Sequence, residues 1–343
     1  MTGAYRIVAA LATLVCGVAA THSDGAQSDL ATPSDGDIIF SYDYLHWAVR
    51  SADVEYGVSD IGGVQDRGPV GQILAIDPSY DSGYRFAIGH RGACGPEVLF
   101  EYTNFDSHLS ETYIGSLRST FVSSDNSEND DSDNINTLGV ETITPDDRAT
   151  SASAETTFDY ELFDLELAQS LTLTDSLILR LSGGGRIANI DSSFRATYTG
   201  GDFQTAFNPF KNSEYNGGGI TAGGDLVWSL MPSLRFTVGT NIAMMMGQIE
   251  TRVFIPDDEP GVPTDVTFDE TRMTPVLNMT VGIDFQRRFG SFIVGASGGY
   301  EMTNWFNLAD SRVFTDSHME AQNAHLIDDI SLDGAYVRFV VMR

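Results

Sequence analysis

Charged residues alternate with apolar residues in several segments of this 343-residue sequence. Asp164 and Glu166 stand among leucines in one segment, and Arg180 and Arg186 stand in the next. Guanidinium and carboxylate groups form bidentate pairs when neighbouring strands bring them together. The spacing predicts an ionic network whose proposed members are Arg85, Glu101, Asp164, Glu166, Arg180, Arg186, Asp225, Arg235, Asp284, Glu301 and Arg338.

A pattern typical of nucleophilic serines, Gly-x-Ser-x-Gly, occurs from Gly295 to Gly299. That motif functions at a sharp turn between a strand and a helix. Here it lies inside an alternating segment, between Val294 and Tyr300. We interpret the match as chance, and the sequence predicts that the protein is not an enzyme.

The histidines show no spacing that would place several metal ligands on one element. His318, Glu320 and His325 fall in a predicted long loop, where a metal site and a solvated loop are the alternatives. The solvated loop is favoured, so we predict no metal site and no cofactor.

The elements that position these residues are predicted to be strands, because apolar residues recur with a period of two. Leu277, Met279, Val281, Ile283 and Phe285, for example, alternate with polar residues and glycine. The pattern predicts about ten strands, over residues 37–50, 82–92, 96–106, 156–170, 175–195, 215–230, 233–254, 268–288, 291–305 and 329–342.

Short and long connections between these strands alternate along the chain. Short turns are predicted at 92–96, 171–175, 231–233 and 288–291, each containing glycine, proline, aspartate or serine. This alternation is typical of an up-and-down antiparallel β-barrel that spans an outer membrane. A soluble all-β sandwich or solenoid is the alternative, but strands of 11 or more residues exceed the usual length of about 3 to 10 in globular sheets.

The N-terminal residues have the pattern of a secretory signal. Arg6 precedes an apolar run over 7–20, which ends in small residues, so we predict a signal peptide over 1–20 that is cleaved after Ala20. A periplasmic segment is predicted over 21–36 and an outer-membrane barrel over 37–343. The alternative is an uncleaved anchor or a buried N-terminal helix.

If the apolar faces of the strands contact lipid, all eleven charged residues face the lumen. A basic residue that faced hydrocarbon near the midplane would cost about 2 to 4 kcal/mol. Leu165, Leu167, Leu179 and Leu181 are then predicted to face lipid. Phe158, Tyr160 and Leu162 have the opposite phase to these leucines, which predicts a β-bulge at residues 162–163. The network is interpreted either as an ion-selecting constriction or as a packed polar core, and the packed core is slightly favoured.

Aromatic residues near the predicted strand ends suggest the two girdles of a membrane barrel. The proposed members are Tyr44, Trp47, Tyr84, Phe86, Trp228, Tyr300, Trp305, Tyr336 and Phe339.

The formal net charge of −29 argues against nucleic acid as a partner. Because the predicted lumen is nearly neutral, the excess acids must lie in loops, above all in a long external loop over 107–155. Such a segment is interpreted as solvated. Binding of divalent cations is the alternative, although no EF-hand spacing is present.

Several strand motifs resemble those of the pore-forming outer membrane proteins similar to the Legionella major outer membrane protein. They include Phe40 to Trp47, Tyr80 to Gly89, Leu179 to Ile190 and Gly218 to Asp225. The resemblance implies an outer-membrane barrel with a porin-like function and brings no catalytic residues. We therefore expect a narrow channel for ions or small solutes, with an acidic mouth that favours cations. The alternative is a non-conducting structural or surface-interaction barrel. Outer-membrane lipid is the expected partner.

Overall fold

The structure is a computed structural model that describes residues 37–51, 54–60, 71–92, 96–121, 148–201, 203–256, 263–314 and 323–343. The predicted signal peptide, the periplasmic segment and most of the acidic loop lie outside these residues. The strands are β1 (Ile38–Ser51), β2 (Glu55–Ser59), β3 (Ile73–Ala75), β4 (Tyr80–Arg91), β5 (Glu97–Ser119), β6 (Arg148–Thr174), β7 (Leu177–Gly200), β8 (Phe203–Phe207), β9 (Phe210–Met231), β10 (Leu234–Ile255), β11 (Thr264–Phe289), β12 (Phe292–Phe314) and β13 (Asn323–Met342). Within the described ranges, no helix is long and apolar enough to cross a membrane.

Ten strands form a closed antiparallel ring in the order β1, β4, β5, β6, β7, β9, β10, β11, β12 and β13. The last strand pairs with the first, and the Ile38 amide donates to the Arg343 carbonyl at 2.7 Å. Consecutive ring strands are neighbours throughout, so the predicted up-and-down barrel is confirmed. The short turns and both ends of the described chain lie at one end, called the turn end; the longer connections lie at the other, called the loop end.

Several strands extend further toward the loop end than the sequence predicted. β5 continues to Ser119 and β6 begins at Arg148, so only the central part of the predicted 107–155 loop connects them. The short strands β2 and β8 pair with β5 and β7, and β3 pairs with β2; none of these three was predicted. Beyond the membrane both faces of a strand tolerate polar residues, and the apolar alternation that marks a half-buried strand disappears.

The outer surface toward the turn end is an apolar band. Phe40, Leu165, Leu181 and Phe285 are exposed on it, as expected for contact with lipid, while Leu167 and Leu179 have the same phase and are partly covered. The band ends toward the loop end at Tyr44, Tyr84, Tyr102, Phe163, Ile187, Met246, Met273 and Met302, after which outward-facing residues are mostly polar. We take the strand segments within this band as the membrane-spanning segments.

The predicted aromatic girdles are only partly correct. Tyr44, Tyr84, Trp228, Tyr300 and Phe339 are exposed on the outer surface, with Phe86 half-buried on the same face. Trp47, Trp305 and Tyr336 are buried inside the barrel. The reason is strand geometry. Trp47, Trp305 and Tyr336 lie three, five and three positions along the strand from Tyr44, Tyr300 and Phe339, and an odd offset places two side chains on opposite faces.

Candidate functional site

The interior of the turn-end half contains a layer of ion pairs, which we call the charged layer. All eleven predicted residues lie in it, together with Asp43 and Glu97, which the prediction omitted. Most pairs are directly opposite in the strand register, as for Arg186 with Asp164. The arrangement follows from strands whose alternate residues all face the lumen.

Arg85 is the central cation of the charged layer. Its Nη2 donates to Glu301 Oε1 at 2.9 Å, and its Nη1 lies 3.2 Å from Asp43 Oδ2. Its Nε lies 3.3 Å from Glu101 Oε1 and 3.1 Å from the Thr103 hydroxyl. Because β4 and β12 are not neighbours in the ring, the bond to Glu301 reaches across the lumen.

Arg180 joins three further strands toward the turn end. Its guanidinium bonds to Glu166, lies 3.0 Å from Asp225 and lies 3.2 Å from Glu97 on β5. Arg186 donates from two nitrogens to the two carboxylate oxygens of Asp164, both at 2.8 Å.

The remaining pairs complete the layer around the ring. Arg338 forms a bidentate pair with Asp43, at 2.7 and 2.8 Å. Arg235 Nε donates to Asp284 at 2.8 Å. Phase alone marks Asp43 and Glu97 as lumenal, since Asp43 alternates with Tyr42 and Tyr44, and Glu97 has the phase of Glu101.

A second layer lies directly on the loop-end side of the charged layer, and it is apolar. This aromatic layer consists of Trp47, Phe105, Tyr160, Tyr215 and Trp305, all at most 2% exposed. Phe158 and Leu162 are buried beside it. Its members come from β1, β5, β6, β9 and β12, so they reach the centre from all around the ring.

The bulge predicted at residues 162–163 is wrong. β6 keeps a continuous register with β7 from Ser151 to Thr172, and Leu162 and Phe163 lie opposite consecutive residues of both neighbouring strands. Phe158, Tyr160 and Leu162 face the lumen, in the same phase as Asp164. The prediction failed because it assigned every apolar face to lipid, whereas this part of the lumen is itself apolar.

Ring contacts join the aromatic layer across the barrel. The Tyr160 and Trp305 ring centroids are 6.0 Å apart, and those of Tyr215 and Trp305 are 5.9 Å apart, both in edge-on geometry. The Trp47 ring packs against Phe105 and Tyr160, and the Arg85 guanidinium lies 5.4 Å from its centroid. The two layers therefore contact each other through Trp47 and Arg85.

A separate group toward the loop end has the residue types of a metal site. One ligand atom each from Glu270, Asp310 and His325 lies within 4.8 Å of the others. The Arg272 guanidinium bonds to both carboxylates, and His325 Nε2 lies 3.0 Å from Asp310. The Arg272 guanidinium thus already occupies the position between the two carboxylates that a metal ion would take. His325, predicted to be in a loop, lies in β13, whereas His318 and Glu320 lie outside the described residues.

The outer surface carries a row of carboxylates on the loop-end side of the apolar band. Directly opposite one another on successive strands stand Asp106, Asp159, Asp191, Glu214, Glu250 and Asp269. Like charges in facing positions repel. Partial burial, with the neighbouring carboxylates of Glu214, Asp159 and Glu161, raises the pKa of Asp191, which lies outside the membrane-spanning segments.

Comparison with known proteins gives one family. A sequence profile described as Legionella pneumophila major outer membrane protein precursor matches residues 40–342. Among curated proteins no match is found.

Similar solved structures are remote. The outer membrane protease OmpT from Escherichia coli is 10% identical, with 94% of this chain and 98% of that chain covered and a TM-score of 0.35. A Pseudomonas aeruginosa FadL homologue is 8% identical, with 90% of each chain covered and a TM-score of 0.24. The Pseudomonas putida toluene transporter TodX is 8% identical, with 91% and 89% covered and a TM-score of 0.28.

Proposed function

We propose that this chain, which belongs to the family of the Legionella pneumophila major outer membrane protein precursor and forms an outer-membrane β-barrel, is a non-conducting barrel, although the family resemblance implies a pore. In this proposal a sealed interior holds the wall together and the loop end interacts with the exterior. The observation that carries the proposal is the burial of the aromatic layer at the centre of the lumen, next to the charged layer.

Burial of large side chains at the centre supports a seal rather than a constriction. Trp305 is fully buried and Trp47 is 2% exposed, although both face the lumen. In the charged layer, Asp43 is 1% and Glu301 is 3% exposed, whereas the side chains of Arg338 and Asp225 are 37% and 38% exposed, so the seal is placed at the aromatic layer. A water-filled channel through the aromatic layer would leave some of its side chains accessible, and barrels of about eight strands have interiors just wide enough for side chains to fill.

The charged layer suits a structural role. Arg85 connects β4 with β1, β5 and β12, and Arg180 connects β7 with β5, β6 and β9. Each arginine therefore restrains strands in addition to its own backbone neighbours. Charge-assisted and bidentate bonds are the stronger class of hydrogen bond, and they fix geometry as well as adding energy.

Planar-bilayer recording of the purified protein tests the proposal directly. We expect no discrete conductance steps from the wild-type barrel. Discrete cation-selective steps would refute the seal and support the narrow porin-like channel implied by the family resemblance.

Fluorescence quenching gives a second test that does not depend on reconstitution into bilayers. In variants that retain one tryptophan, we expect brominated lipid to quench Trp228, which is exposed on the apolar band. Trp47 and Trp305 are expected to resist both brominated lipid and aqueous acrylamide. Efficient acrylamide quenching of either would indicate a water-filled lumen.

A further inference from the structure

The loop-end half of the barrel contains a cavity of about 180 Å³ that neither layer fills. Phe158 and Ile330, from the apolar cluster around the aromatic layer, line it on the turn-end side. Ile76 and Phe194, from a second apolar cluster, line it on the loop-end side. We call this space the loop-end cavity. It lies on the exterior side of the proposed seal.

The loop-end cavity has a mixed lining, which exposes more apolar than polar surface although about half of its residues are polar. Its polar side chains include Lys211, Ser107 and Ser213. Lys211 is the only lysine in the sequence. Its Nζ lies 3.3 Å from the Ser311 hydroxyl and 5.6 Å from the centre of the Phe194 ring. The cavity therefore combines apolar walls with several hydroxyl groups and one ammonium group.

We propose that the loop-end cavity binds a small amphipathic monocarboxylate, with a single ring or a short acyl chain, whose carboxylate contacts Lys211. A cavity of about 150 Å³ accepts benzene, so this volume is suited to one ring. Binding sites for small molecules combine apolar walls with a few polar groups that orient the ligand. The Lys211 ammonium has three N–H donors. A bound carboxylate would accept one of them, either beside the present contacts of Lys211 or in place of one.

The charges around the cavity are compatible with an anionic ligand. Asp310 also lines it, but this carboxylate bonds to Arg272 and to His325. Arg50 also lines it, but its side chain has the outward phase of Tyr42 and Tyr44, and its Nε donates to Asp333 at 2.6 Å. Pro78, which also lines the cavity, is exposed on the loop-end side.

The single lysine permits a direct experiment on the folded, detergent-solubilised protein. An amine-specific acylating reagent has one side-chain target, and peptide mass separates modification of Lys211 from that of the chain's amino terminus. We expect Lys211 to be acylated, and benzoate to slow its acylation in a saturable manner while the amino terminus reacts as before. Toluene, of similar size without a carboxylate, is the control and is expected to protect weakly.

Calorimetric titration with benzoate tests the contact itself. Lys211→Met keeps an unbranched apolar stem and is expected to weaken benzoate binding about tenfold or more, the effect of losing a charged hydrogen bond. Arg195→Met is the matched control, because Arg195 is an exposed cation on β7 next to Phe194 but on the outer face.

Three outcomes would overturn the proposal: no acylation of Lys211, acylation that benzoate does not slow, or equal protection by toluene and benzoate. Equal benzoate affinity in wild type and Lys211→Met would do the same. None of these depends on conductance, so benzoate binding and the seal are judged separately.

Discussion

Replacement of Arg85 by alanine is the sharpest test of the charged layer. In the wild-type barrel this guanidinium lies within 3.3 Å of carboxylate oxygens from Asp43, Glu101 and Glu301. Asp43 retains its bidentate bonds to Arg338 when Arg85 is removed. The loss therefore falls mainly on Glu301 and Glu101.

The expected magnitude follows from burial. The Glu301 side chain is 3% exposed, so without Arg85 it becomes a buried carboxylate that has lost its bidentate partner. Removing one partner of a buried ion pair costs about 3 to 5 kcal/mol. By contrast, Arg252 and Asp265 form a closer bidentate pair, at 2.7 and 2.8 Å, whose side chains are 48% and 42% exposed. Exposed pairs contribute little, because water and salt screen the two charges.

The assay is denaturant unfolding in one detergent, with Arg85→Ala compared with the matched control Arg252→Ala. We expect Arg85→Ala to lose several times as much unfolding free energy as Arg252→Ala. The double variant Arg85→Ala/Glu301→Gln is expected to recover part of the loss, because the amide removes the buried charge. Equal losses in the two single variants, or no recovery in the double variant, would show that water reaches this layer and that the argument from burial is wrong.

Two further predictions concern single residues. Gly184→Ala is expected to prevent or severely destabilise folding, because a Cβ there would lie 1.9 Å from the Leu165 carbonyl oxygen. Gly218→Ala is the control and is expected to be tolerated, because the atom nearest to its Cβ would be 3.6 Å away. Heat-modifiable electrophoretic mobility distinguishes a folded variant from an unfolded one. Asp191→Asn is expected to stabilise the barrel at neutral pH by about 0.2 to 1 kcal/mol, by removing one charge from the acidic row. The pKa of Asp191 is raised in the folded state, so the ionised carboxylate destabilises the fold. The stability gained by Asp191→Asn should therefore disappear as the pH falls through that pKa. Thermal unfolding of variant and wild type over a range of pH measures this difference.

Sequence alone predicts the membrane-spanning part of this barrel well, because lipid on one side forces a strict alternation. All ten ring strands were predicted, and residues such as Arg180 and Asp164 have the expected phase. The extended ends of β5 and β6 were missed, since water on the outer face removes the contrast between apolar and polar positions.

The interior was harder to predict for two physical reasons. Part of the lumen is lined by apolar residues, so Tyr160 and Leu162 have the pattern of lipid-facing residues although they lie inside. Contacts across the lumen, such as Arg85 with Glu301, join strands that are distant in the ring. These contacts depend on barrel width and side-chain length, neither of which a local pattern contains.

Because β13 pairs with β1 to close the ring, the barrel is expected to form in the membrane as one cooperative unit. The paired residues, from Ile39 with Met342 to Ser51 with Ile330, come from opposite ends of the described chain. Without β13, the outer N–H and C=O groups of β1 and β12 would form two free edges in hydrocarbon, where each unsatisfied group costs several kcal/mol. A chain without β13 therefore cannot form a stable, partly closed barrel in the membrane. Stable insertion of the other nine ring strands thus depends on the pairing of β13 with β1.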